Sequence, residues 1–250
     1  MADPVLVLEG VKKSFGSVSA LENMSLAAYP GEMHAIVGDN GAGKSTAIKI
    51  ITGVHSADEG ELRLLGEALP HRRSPAHLGD HGIAVVYQDL ALVECLDIAT
   101  NLSLGRLPTR FGILDRKRMR REAGAVLADL KVRVTDVDTP VGLLSGGQRQ
   151  IIAIARAVRL DKPLVLLDEP TAALGVQETA HVGEIIEELK PTGKAVVCVS
   201  HDLDFVFRHA DRITVLRLGT TVGTRLVAQT TRSEIVGMIT GAVAADGAAE

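Results

Sequence analysis

Eight consecutive residues constrain this chain more than any other feature in it. Gly38-Asp39-Asn40-Gly41-Ala42-Gly43-Lys44-Ser45 fits the pattern G-x-x-x-x-G-K-S/T at every fixed position. Glycines at such places let the backbone bend until several N–H groups point inward at an anion. A helix beginning near Lys44 adds the positive end of its dipole at the same point. The run lies between a short apolar stretch, Glu32–Val37, and a helical pattern, Ser45–Thr52, closed by Gly53. Strand, glycine loop and helix in that order make a phosphate cradle, and a chance match in a chain this long is roughly a one-in-a-hundred event at average residue usage.

Such a cradle holds a nucleoside triphosphate when other groups meet it. Lys44 is then placed to reach the β- and γ-phosphates, and Ser45 to ligate Mg²⁺. Four apolar runs end in residues that suit ATP chemistry. Glu32–Val37 delivers the loop itself, Ile83–Tyr87 delivers Gln88, Leu164–Leu167 delivers Asp168 and Glu169, and Ala195–Val199 delivers Ser200 and His201. Continuous apolar runs of this length suit a parallel sheet covered on both faces, whose ligand site lies beyond the carboxyl ends of its strands. If the four are neighbours, these residues converge. Asp168 is then a second anchor for Mg²⁺ and Glu169 the general base for the attacking water. His201 could contact the γ-phosphate, and Gln88 the metal or the water.

The remaining segments fill in a single α/β body. Val5–Glu9 and Leu21–Ala28 read as strands, with Phe15 in a loop between them. Gln177–Leu189 reads as a crossover helix and Arg212–Leu216 as a last strand. From about residue 89 to 160 there is no buried-strand run, and Met119, Ala123, Val126, Leu127 and Leu130 recur at helical spacing. That stretch is expected to be a helical subdomain inserted into the body, and the tail 241–250 to be disordered.

Composition narrows the function classes. The net charge of -4 gives no support to a nucleic-acid binder. The basic run Arg116-Lys117-Arg118-Met119-Arg120-Arg121 reads as the solvated face of a helix rather than as an interaction patch. With 46% hydrophobic residues, and aromatics at only 2%, the core must be built from Val, Ile, Leu and Ala. No stretch approaches the length of a membrane helix, and the N-terminus has neither the basic nor the apolar region of a signal peptide. Cys95 and Cys198 are expected to be reduced thiols, with Cys95 buried. His71, His77 and His81 lack metal-site spacing and read as loop residues.

A second glycine motif, Leu144-Ser145-Gly146-Gly147-Gln148-Arg149-Gln150, precedes the helical run Ile151–Val158. Ser145 and Gln148 have the spacing of a capping box, and the exposed helix start can receive an anion. Two anion-binding helix starts in one chain serve one ATP only if two chains face each other. With these motifs in this order, the chain resembles an ATP-binding subunit of the ABC (ATP-binding cassette) family from about Val5 to Thr240.

The resemblance assigns roles. Phe15 takes the place of the aromatic that stacks on adenine, Gly38 to Thr46 that of Walker A, and Gln88 that of the Q-loop. Leu144–Gln150 matches the signature, Leu164–Glu169 Walker B with its catalytic glutamate, and His201 the switch histidine. It implies a P-loop NTPase core with a mainly parallel sheet, an N-terminal antiparallel β portion and an inserted helical subdomain. It also implies a head-to-tail pair of cassettes, each ATP held between one chain's Walker A and the other's Ser145, Gly146, Gly147 and Gln148. The partners would be transmembrane permease subunits and, indirectly, a solute-binding protein, with the chain peripheral on the cytoplasmic face of the membrane and no nucleic acid bound. One departure stands out: the D-loop, usually ending in Asp, has Gly175 after Thr171-Ala172-Ala173-Leu174. The run Pro170–Val176 is similar to that of simple-sugar importers. An export subunit, or an ATP-gated clamp on nucleic acid or ribosomes, are the other roles this family offers. The cradle makes a first test simple: Lys44→Ala is expected to abolish ATP binding or hydrolysis, and full activity in that variant would refute the assignment.

Overall fold

The structure, a computed structural model, describes residues 2–70, 82–132 and 136–243. The three loop histidines and the tail from residue 244 lie outside them. The central feature is four parallel strands, β3 (Met33–Val37), β6 (Ile83–Val86), β9 (Leu164–Asp168) and β10 (Ala195–Val199), adjacent in the order β3-β10-β9-β6. Their register is continuous. Leu167 lies beside Val86 and Cys198, and Cys198 beside Ala35.

Alternation along these strands explains why they are apolar throughout. On β9, Val165 and Leu167 join one core while Leu164 and Leu166 join another on the opposite face. Cys198 divides the same way from Val197 and Val199 on β10. A sheet buried on both sides has no solvated face to hold polar residues. One face is covered by α1 (Lys44–Ile51), backed by the antiparallel strands β1 (Leu6–Phe15), β2 (Val18–Ala28) and β4 (Glu59–Leu64). The other face carries helices, among them α2 (Ile98–Ser103), α3 (Arg116–Asp129), α4 (Gly146–Arg159) and α5 (Val176–Leu189).

The antiparallel strands join the parallel ones through β11 (Arg212–Arg217), parallel to β3, and β12 (Thr220–Leu226), antiparallel to β11. β12 meets β2 in register at one position, Thr220 beside Asn23. His34 reinforces that seam. Its Nδ1 donates to the Ala27 carbonyl at 3.0 Å, and its Nε2 accepts from the Thr214 hydroxyl at 2.7 Å. Burial holds the imidazole pKa down to about 3, so the ring is neutral, and a neutral ring can be both donor and acceptor.

Several expectations need correction. Phe15 ends β1 rather than lying in a loop, and the strands before it are longer than expected because the hairpin continues to its turn at Gly16. Arg212–Arg217 is followed by a further strand, β12, and by α7 (Arg232–Thr240); α6 (Leu203–His209) follows β10. β4 and the two-residue β5 (Glu67–Ala68) also escaped the apolar-run criterion, being polar on one side. Between α2 and α3 the chain forms a small antiparallel hairpin, β7 (Thr109–Arg110) and β8 (Ile113–Leu114), in a stretch expected to be helical. Cys95 is exposed. The buried position in its loop belongs to Asn101, whose amide binds the backbone of Val93, Leu96 and Asp97 and leaves the thiol on the outer side of the turn.

Candidate functional site

The phosphate-type loop leaves β3 and enters α1. Gly43 is the helix cap, with φ +104°, and a Cβ there would lie 2.6 Å from the Ala20 carbonyl oxygen. Only glycine satisfies both conditions. No side chain caps α1, whereas α2, α3, α4, α6 and α7 each receive one, from Asp97, Asp115, Ser145, Asp202 and Thr231. The first-turn N–H groups of α1 are therefore left for an external acceptor. Lys44 is buried and its Nζ donates to the carbonyls of Gly38 at 2.7 Å and Asp39 at 3.0 Å. The ammonium is thus held inside the curve of the loop.

A cleft of about 500 Å³ opens at this point, and its lining answers the convergence expected from sequence. Asn40, Gly41, Gly43, Lys44, Ser45 and Thr46 form one wall; Gln88, Glu169 and His201 come from the ends of β6, β9 and β10. Gly38, Asp39 and Ala42, of the same loop, do not line the cleft. Phe15 stays outside the cleft, packed edge-to-face on His55 with centroids 5.0 Å apart. Val18, its cross-strand neighbour, lines the cleft, as do Ser19 and Ala20. Sequence reasoning missed this β2 edge, for which small polar residues after a turn offer no signal.

The charged groups form a compact set. Glu169 has φ +51°, a left-handed conformation that costs a non-glycine residue about 1–2 kcal/mol. Its backbone N–H still donates to the Val199 carbonyl at 2.9 Å, holding the first residue beyond β9 to the neighbouring strand. His201 Nδ1 donates to Glu169 Oε2 at 2.7 Å. That bond leaves Nε2 of the exposed imidazole for another partner. Asp168, one residue earlier, is half-buried. Burial first, and then the Glu169 carboxylate, raise its pKa above the ordinary carboxylate value, against a smaller opposing effect of Lys44 and Lys49.

The second motif stands apart from the P-loop wall. Ser145 caps α4, its Oγ accepting from Gln148 N–H at 3.2 Å, and Gln148 Oε1 accepts from Ser145 N–H at 3.0 Å. This is the capping box read from sequence. Gly146 lines a separate cleft of about 260 Å³ that shares Gln88 and Ala172 with the first, but no P-loop residue. Gly147 is buried, and a Cβ there would lie 2.3 Å from Glu178 Cγ.

Among the described residues no group of three or more His, Cys, Asp or Glu could hold a metal alone. The oxygen donors Ser45, Gln88 and Asp168 instead fit a hard cation that takes most of its ligands from phosphate and water, as Mg²⁺ does.

Two stability measurements test this geometry. Because the folded value of Asp168 lies above the unfolded one, the native chain binds its proton more tightly, and stability falls as pH rises through the folded value. Asp168→Asn is therefore expected to raise the urea midpoint at neutral pH. The gain should vanish as pH falls below the usual carboxylate range. Gly147→Ala should lower unfolding free energy by about 1–3 kcal/mol through the Glu178 clash. In a Glu178→Ala background the loss should shrink, since of the clashing atoms only the Cβ of residue 178, 3.1 Å away, remains.

Comparison with known proteins agrees with this geometry. A family model described as ABC transporter matches residues 21–172. A ribose import ATP-binding protein of Chromobacterium violaceum is 44% identical over 94% of this chain, which spans 47% of that protein's length. The chain thus covers about half the length of the ribose relatives it matches. A fructose import ATP-binding protein of Rhizobium meliloti is 42% identical over 96% of this chain and 95% of its own. Among solved structures, a nucleotide-free ATP-binding cassette from an ABC transporter superposes with a TM-score of 0.82 at 25% identity, covering 95% of each chain. A dimeric bacterial ABC transporter cassette does so with 0.78 at 27%, covering 89% of this chain and 98% of the other. By the family model that matches it and by relatives more than 40% identical over most of its length, this chain belongs to the ABC transporter family as an ATP-binding cassette.

Proposed function

We propose that this chain is the ATP-hydrolysing subunit of an importer for a simple sugar, with residues 1–240 as one ATPase domain. The observation that carries the reading is the convergence of four parallel strand ends on the cleft that holds Lys44. An inward ammonium, uncapped helix N–H groups and a Glu–His pair in one place suit a bound polyphosphate.

The chain's own groups divide the work. The P-loop N–H groups and Lys44 bind the phosphates and stabilise charge that develops on the γ-phosphoryl group. Glu169 orients and deprotonates the attacking water. His201, donating to Glu169 through Nδ1, fixes that carboxylate and offers Nε2 toward the γ-phosphate. Ser45, Gln88 and Asp168 would hold Mg²⁺, which supplies charge neutralisation between β- and γ-oxygens when bound. Phe15 lies outside the cleft, paired across the hairpin with its lining residue Val18, and in this reading would turn to stack on the adenine.

Ser145, Gly146, Gly147 and Gln148 complete the site of a second cassette, most simply another copy of this chain in head-to-tail arrangement. The helical part, residues 89–160, meets the permease. Among the described residues no helix is long and apolar enough to cross a membrane. In this reading, which rests on the family resemblance, permease subunits form the membrane path, fed by a solute-binding protein, and this chain works at the cytoplasmic face. Sugar import follows from the ribose and fructose relatives. ATP closes the pair and hydrolysis reopens it, shifting the permease between its two states.

The test uses Glu169→Gln purified with ATP from gently solubilised native membranes. The variant is expected as a two-cassette dimer with a multi-span permease bound, turning over ATP about 10²–10⁴-fold more slowly than wild type. Turnover at the wild-type rate removes Glu169 from its role. Ribosomal or nucleic-acid components in place of a permease overturn the transport assignment.

A further inference from the structure

The hairpin β7–β8 takes no part in the cleft, and its chemistry is unlike the rest of the surface. All six residues from Thr109 to Leu114 are exposed. Phe111 is 92% exposed and Ile113 74%, the most prominent apolar pair on one short segment among the described residues. The hairpin is fixed at its base, where Pro108 is buried and its carbonyl accepts from Asp115 N–H at 2.9 Å. A cleft of about 530 Å³ bordered by Leu107, Thr109 and Val126 lies beside it, so the tip stands clear of the helices.

The turn itself is unfavourable twice over. Arg110 pairs with Ile113, so Phe111 and Gly112 are the two turn residues, at φ +54° and +79°. Such a turn favours Asn or Gly at both places. A phenylalanine there bears left-handed strain and also wets nearly its whole ring.

Basic residues flank this tip along the chain. Residues 106–121 carry seven of the chain's 27 basic residues and one acid, Asp115, in a chain whose balance is -4. Arg118 and Arg120 are paired with Glu122 and Asp138. Arg106, Arg110, Arg116, Lys117 and Arg121 make no ion pair among the described residues, and Arg110 lies over the Phe111 ring at 5.6 Å. Three of the five cations of the basic run 116–121 thus lack an ion pair among the described residues, as does Arg110 beside Phe111.

We propose that this hairpin is a membrane-surface anchor that takes the anionic headgroup layer of a lipid bilayer, with Phe111 and Ile113 entering the interface and the flanking cations meeting lipid phosphates. A bilayer asks only for depth and opposite charge, and both are present. The anchor would orient the cassette beside its permease without any contact to the ATP cleft.

Sedimentation of the whole chain with vesicles tests this, using phosphatidylcholine alone and phosphatidylcholine mixed with phosphatidylglycerol. Wild type should bind the anionic vesicles preferentially and lose binding as salt rises. Phe111→Asn keeps the turn, because Asn accepts the left-handed conformation, and should weaken partitioning about tenfold or more. Arg110→Gln and Arg116→Gln should each weaken it about fivefold. Both kinds of variant should melt and bind ATP as wild type does. Equal binding to the two vesicle types, or unchanged binding by Phe111→Asn, overturns the proposal. So does a Phe111→Asn protein that keeps its vesicle binding but no longer co-purifies with a permease, which would assign the tip to a protein partner. The vesicle sedimentation itself contains no permease and reads no transport, so its failure leaves the ATPase reading intact.

Discussion

The parallel pairing of β9 with β10, and of β10 with β3, is the constraint on which the site depends. Backbone hydrogen bonds carry that register one residue beyond the strands: Glu169 N–H donates to the Val199 carbonyl and Ser200 N–H to that of Ile36. The residues after each strand therefore emerge level with one another. Since side chains alternate with period two, a one-residue slip would send Leu164 and Leu166 to the wrong core and withdraw Glu169 from His201. The apolar runs thus do two things at once. They give the sheet its burial on both faces, and they fix the level at which the polar residues appear.

This double role explains what was legible in the sequence. The four central strands were readable because burial on both faces leaves an uninterrupted apolar signal, and the residue that ends each run marks the site edge. The P-loop and the capping box at Ser145 were readable because backbone geometry demands particular residues at fixed spacing. Elements with one wet face gave weaker signals. β4 and β12 mix Thr, Arg, Glu and Gly with their apolar residues, and β7–β8 is polar and apolar without alternation. Cys95 was misplaced for a related reason. Its neighbours Val93 and Leu96 suggested burial, but a single amide, Asn101, organises the loop from inside and no local pattern announces it.

The site holds arrangements that the fold alone would not favour. Glu169 is left-handed, and Asp168 carries its charge in a half-buried position beside another carboxylate. Both are tolerated because neighbouring strands over-determine them. A carboxylate pair that is uneasy by itself is well suited to a bound cation and a polyphosphate, whose charges reverse the local balance. Local cost at this point is consistent with a role realised only when nucleotide is present, whereas Cys198, buried one strand away with its thiol pKa driven up, behaves as plain core.

Gln88 borders both clefts, and the segment after it is tied to α4. Arg156 donates to the carbonyls of Leu90 at 2.8 Å and Ala91 at 2.7 Å, and Arg149 pairs with Glu94 at 2.8 Å. The segment that follows Gln88 is thus bound to the helix capped by Ser145. The same helix start touches the other side of the site through Glu178. That side chain fills the space beside Gly147, and its carboxylate also lies against Gly175, where a Cβ would meet Oε2 at 2.6 Å. Gly175 is the position at which the family usually has an acid. Three residues later, on α5, Glu178 lies against both Gly175 and Gly147, so the loop after β9 and the second glycine motif are joined by packing, with the two glycines making room for one glutamate.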